Sequence, residues 1–234
     1  ARLRELGDTT QNQLGRLTAM DPATIQGVVR RLVARGLVER TDVSPYRLAT
    51  HLGLALVILA LVKRLALELC DPRPASARGA QAVLGRATLG AIALTILAGA
   101  CGAGTDAGFT YNTFPLMDGR FVPAGYGDLA PWWTNLFENV AAVQFNHRWI
   151  AVGTMALAIA YVGSIHAGRL DERARRLASW LGAAIIGQVA LGIATLLLAV
   201  PVALGAAHQA GAVVVLSLAL ATHHAALRSA RTDR

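Results

Sequence analysis

Three histidines, His51, His147 and His208, each stand near the start of a long apolar stretch. Ionisable side chains are expensive to keep in such stretches, so each one marks a candidate functional site. Imidazole is the commonest protein metal ligand, and its second nitrogen is usually held by a carbonyl or carboxylate. Two histidines on facing helices of a bundle can hold one haem iron from both faces. His147 and His208 suit that role as axial ligands. Arg148, next in sequence, can meet a haem propionate through a charge-assisted bond, and Asn146 and Gln209 can supply hydrogen bonds behind the ligands. Plainer roles compete. A lone intramembrane histidine can simply bond a neighbouring helix, and an arginine at this depth can snorkel to the headgroups. Zinc is disfavoured, because no further Cys, Asp or Glu stands at ligand spacing inside the apolar stretches. Cys70 and Cys101 are far apart and read as ordinary thiols.

The elements that carry these residues belong to a membrane protein. Hydrophobic residues make up 54% of the 234 and charged residues 15%, against about 25% charged in a soluble domain. A net charge of +8 then reflects basic loops rather than a nucleic-acid partner. A bilayer core needs about 20 apolar residues in a helix. Five stretches qualify: 47 to 66, 84 to 104, 142 to 165, 178 to 200 and 203 to 226. The expected fold is all-α, a polytopic membrane helical bundle with five transmembrane helices and a short soluble helical segment ahead of them. Lys63, Arg64, Arg73, Arg78 and Arg86 follow the first span, Arg169, Arg173, Arg175 and Arg176 the third, and Arg228, Arg231 and Arg234 the last. These basic groups share one side, which the positive-inside rule makes cytoplasmic. The expected location is a bacterial inner membrane, with the C-terminus inside.

That orientation sets His51, His147 and His208 at one depth near the outer surface. His166, His223 and His224 fall at the cytoplasmic ends, where a polar residue needs little explanation. The loop over 105 to 139 is rich in aromatics, among them Tyr111, Phe121, Tyr126, Trp132 and Trp133. An interface belt accounts for some of them, and a loop of this length is expected to work as a lid. "HLGLALVILALV" from His51 and "HQAGAVVVLSLAL" from His208 share a faint internal likeness.

Three segments carry a family resemblance: "AGTDAGFTYNTFPLMDGRFVP" at 103 to 123, "VQFNHRWIA" at 143 to 151, and "LGIATLLLAVPVALGAAHQAGAVVVL" at 191 to 216. They resemble heme A synthase of the proteobacterial and mitochondrial type, and "VSPYRLATHLGLALVILAL" at 43 to 61 resembles that family's fourth span. The resemblance covers 43 to 234. It implies eight spans in two similar four-helix bundles. The C-terminal one, here 83 to 234, would bind haem b as cofactor through His147 and His208. The N-terminal one would bind the substrate haem O through another pair, whose second member matches His51. Residues 43 to 82 would be the last span of that first half with its cytoplasmic loop. The family oxidises a methyl group of haem O to a formyl group, giving haem A for cytochrome oxidase. The expected partners are haem O synthase as the source of the substrate and an unidentified electron donor, with a homo-oligomer left open. The family's first three spans have no counterpart here, so the catalytic carboxylate is unassigned and turnover by this chain alone is expected to be impaired.

Residues 1 to 42 read differently. "DTTQNQLGRLTAMDPATIQGVVRRLVARGLVERTD" is polar and helical, with Asp21 and Pro22 suited to a helix start and Gly36 to its end. It resembles a fragment of the winged helix-turn-helix of MarR-type regulators, in which Thr24, Gln26, Arg30 and Arg31 would face DNA. A fusion or a joining of two reading frames near Asp42 explains such a beginning. Two other functions stay open: a b-type membrane cytochrome that only transfers electrons, and a membrane-tethered DNA-binding regulator.

Overall fold

The computed structural model describes residues 18–19, 28–29, 31–33, 35–37, 44–72, 79–168 and 170–229. Five long helices make up most of it: α1 (Pro45–Cys70), α2 (Ala80–Gly104), α3 (Val140–Ala167), α4 (Glu172–Leu197) and α5 (Val202–Arg228). Their ends follow local chemistry. Pro45 opens α1, where its missing N–H is no loss. Asn139 and Asp171 cap α3 and α4, accepting from the amides of Ala142 at 3.1 Å and Ala174 at 2.9 Å. A tight turn joins α4 to α5 with Ala199 and Val200 both left-handed, at φ 56° and 55°. Side chains avoid that region, so the turn is strained.

Helices α2 to α5 close a ring in which each packs on the next and α5 returns to α2, while α1 lies against α2 and α5. The core is built largely of small residues, with Ala158, Ala174, Ala178 and Ala219 almost wholly buried beside Tyr161, Ile165 and Leu181. Small residues let helix backbones approach closely where lipid removes the hydrophobic drive between helices. The outer faces carry the large apolar side chains, such as Ile58, Trp180, Ile186 and Val214. The chain is thus a polytopic helical membrane protein.

Among the described residues four helices, α2 to α5, are long and apolar enough to cross a bilayer, which differs from the expected five. In α1 only the fifteen residues between Arg47 and Lys63 are free of formal charge, short of the roughly 20 a span needs.

Candidate functional site

His147 and His208 lie seven and six residues after the first residues of α3 and α5, about 10 Å along each helix. The helices run in the same direction, because each is antiparallel to the helix before it. His147 meets Thr95 and Gly99 near the end of α2, and His208 meets Gln188 and Gly192 in the later half of α4. The two imidazoles therefore sit at one end of the bundle.

Each ring is braced from the preceding helix. His147 Nδ1 lies 3.2 Å from the carbonyl oxygen of Thr95. The Thr95 hydroxyl donates to the Ala91 carbonyl at 2.8 Å and meets the Thr154 hydroxyl, also at 2.8 Å, fastening α2 to α3 beside the ring. His208 Nδ1 lies 3.2 Å from Gln188 Nε2, which donates to the His208 carbonyl at 2.8 Å. Glycine makes room for both rings. A Cβ at Gly99 would stand 3.0 Å from Cε1 of His147, and one at Gly192 would stand 2.7 Å from Cε1 of His208. With Nδ1 engaged on both rings, neither Nε2 has a hydrogen-bond partner among the described residues. The two braced imidazoles in glycine cradles are the candidate donors at this end of the bundle. No group of three or more His, Cys, Asp or Glu that could hold a metal ion occurs among the described residues.

The loop over this end is folded down as a cover. Arg148, buried on α3, donates from Nη1 to the Thr113 carbonyl at 2.6 Å and from Nη2 to the Tyr111 carbonyl. Its Nε is buried without a partner among the described residues, so the guanidinium keeps N–H groups to spare after the loop is tied. Gln144 donates to the Ala107 carbonyl at 2.8 Å. Asn112 bonds the Leu196 carbonyl at 2.8 Å, pinning the loop to the end of α4. Asn139 and Asn135 hold the second half through Gly125 and Leu129. Phe121 packs on Trp149 with ring centroids 4.8 Å apart, and Tyr126 packs on Phe145 at 5.3 Å. Trp132 and Trp133 stay exposed and fit an interface belt instead, so the aromatics divide between the two roles.

Other expected residues fall elsewhere. Asn146 receives the Tyr126 hydroxyl at 2.8 Å, which makes it part of the cover, and Gln209 is exposed. Gln188, twenty residues before His208, takes the place expected of Gln209; sequence reading missed it. His51 sits on an exposed face of α1, six residues into the helix. His223 and His224 differ from expectation: at the far end of the bundle, His223 Nδ1 and both His224 nitrogens are buried without partners among the described residues. Tyr161, beside His223 with ring centroids 6.5 Å apart, has an equally unpartnered hydroxyl. Cys70 and Cys101 are free thiols. Of the proposed DNA contacts, Thr24, Gln26 and Arg30 lie outside the described residues, and Arg31 is exposed.

The structure is that of a multi-pass helical membrane protein with two braced histidines at one bundle end and a folded cover above them. Comparison gives the family. The cytochrome oxidase assembly protein model (COX15-CtaA) matches residues 20–220, and the chain belongs to that family. The match starts ahead of the boundary expected at residue 43, so the family likeness reaches into the segment set apart as foreign. The chain is similar to "Heme A synthase" of Rhodospirillum centenum, 46% identical over 209 residues, covering 87% of this chain and 54% of that protein. It is also similar to those of Caulobacter vibrioides, 44% identical over 84% of this chain and 58% of that protein, and Azorhizobium caulinodans, 45% over 81% and 54%. The chain spans about half the length of these curated relatives. No solved structure matches.

Proposed function

We propose that this chain is the haem b-holding part of a heme A synthase, an integral membrane oxidoreductase that converts a methyl group of haem O to the formyl group of haem A for cytochrome oxidase. The observation that carries the reading is the pair His147 and His208. Both are braced at Nδ1 and cradled by glycine at one bundle end, within the range matched by the cytochrome oxidase assembly family. A haem held between two histidines supplies one-electron transfer. Thr95 and Gln188 orient the rings. Arg148, Gln144 and Asn112 hold the cover that shields them from water, and the spare Arg148 N–H is suited to an anionic haem edge. His51, on the neighbouring α1 and at a similar depth in its helix, is assigned to the iron of the substrate haem O, delivered through the membrane by haem O synthase. The bundle end carrying His147 faces outward, and the basic end with Lys63, Arg64, Arg173, Arg175, Arg176 and Arg228 faces the cytoplasm.

The test is a reduced-minus-oxidised optical spectrum of the detergent-purified chain beside His147→Ala and His208→Ala. A six-coordinate b-type spectrum that is lost in each variant supports the reading. A chain that takes up no haem when supplied with it, or a spectrum indifferent to both changes, sinks it. Conversion of added haem O then separates a synthase from a cytochrome that only transfers electrons.

A further inference from the structure

The two imidazoles are not held alike, and the difference is chemical. His147 Nδ1 faces a main-chain carbonyl oxygen, that of Thr95. A carbonyl only accepts, so the ring proton sits on Nδ1 and Nε2 keeps a free lone pair. His208 Nδ1 faces an amide nitrogen, Gln188 Nε2. That nitrogen also donates to the His208 carbonyl at 2.8 Å, which fixes the amide's orientation, since its oxygen turned that way would confront another oxygen. An amide nitrogen only donates, so His208 Nδ1 accepts and the ring proton sits on Nε2. Gln188 Oε1 occupies the notch left by Gly211, where a Cβ would overlap it.

We infer that Gln188 is a positioning residue governing His208 as an iron ligand, and that the two histidines are unequal, His147 being the standing ligand and His208 the conditional one. The inference rests on the haem-binding reading above. His147 presents Nε2 to iron without rearrangement. His208 must first give up its Nε2 proton and take one at Nδ1, a neutral exchange of tautomers that involves no oxidant or reductant. The new Nδ1–H then confronts a donor, so the amide has to turn and offer Oε1, leaving the His208 carbonyl. Ligation at the second position is thereby coupled to the rotation of one side-chain amide on α4. Outer partners of metal-bound histidines fix ring orientation and basicity, and their loss typically weakens binding about 10- to 100-fold.

The experiment titrates the full chain in detergent with haemin and records affinity, coordination state and midpoint potential for five forms: the parent, His147→Ala, His208→Ala, Gln188→Glu and Gln188→Leu. His208→Ala is expected to keep a five-coordinate haem, bound about 10-fold or more tightly than in His147→Ala. Gln188→Glu offers an acceptor to Nδ1–H, so it should stay six-coordinate with a midpoint potential below the parent's. Gln188→Leu should lose affinity about 10-fold or more and become partly five-coordinate. A merely structural glutamine would leave the haem six-coordinate in Gln188→Leu. Equal losses in the two histidine variants, or Gln188 variants that match the parent in affinity and potential, overturn the inference. Haemin binding indifferent to both histidine variants overturns the haem reading itself, which is a separate outcome.

Discussion

Gly192→Ala probes the cradle around His208 through a single added carbon. Its Cβ would stand 2.7 Å from Cε1 of the ring, where ordinary contact begins at 3.4 Å. The ring must then retreat by about 0.7 Å, several times the roughly 0.2 Å tolerance of a metal–ligand distance. Overfilling a packed site costs about 1–3 kcal/mol, and about 1.4 kcal/mol is tenfold in affinity. Haemin binding should therefore weaken roughly 5- to 150-fold, with part of the six-coordinate spectrum lost. Gly99→Ala, whose Cβ would stand 3.0 Å from His147, demands a smaller retreat and should fall at the mild end of that range. Gly90→Ala and Gly187→Ala are the controls, since nothing lies within 4 Å of a Cβ at either position. Both should bind haemin as the parent does and gain up to about 1 kcal/mol of helix stability. Parent-like binding in Gly192→Ala, or an equal loss in the controls, would refute the cradle.

Three further outcomes follow from the same geometry. Arg148→Met removes the two bonds to the Thr113 and Tyr111 carbonyls, each worth about 1.5–3 kcal/mol for a charged donor; hydrogen exchange over 107 to 116 should quicken while α4 and α5 stay protected. Asn139→Ala deletes the α3 cap and the bond to the Gly125 carbonyl, a loss of about 1 kcal/mol or more for the cap alone. It should lower Tm by about 2–4 °C per kcal/mol in a chain of this size. Ala199→Gly relieves a left-handed conformation that costs a side chain about 1–2 kcal/mol, so it should raise Tm in the same measurement; an unchanged or lower Tm would place the strain elsewhere.

Hydropathy runs made the helices legible, because a bilayer sets their length and each run is local in sequence. His147 and His208 were legible for the same reason, as polar residues a fixed distance inside apolar helices. The fifth expected span failed on a local count as well, the short uncharged stretch between Arg47 and Lys63. What packs against each histidine was not legible. Gln188 and Thr95 reach the rings from other helices, and their placement depends on how two helices slide and turn against one another, which no periodicity encodes. Gly99 and Gly192 were invisible among the other helical glycines for the same reason. Arg148 was read toward a ligand because it follows His147. Its bonds to the loop carbonyls of Thr113 and Tyr111 were not legible, because they join residues 35 and 37 positions apart.

Thr95 and Gln188 lie on the helix that precedes the histidine each one braces. The α2–α3 hairpin thus shapes His147 with its own residues, and the α4–α5 hairpin shapes His208 with its own. Each hairpin can enter the bilayer and finish its half of the site before meeting the other, as membrane helices form first and associate afterwards. On the proposed haem-binding reading, a group held by both histidines would tie the two hairpins together across their seam.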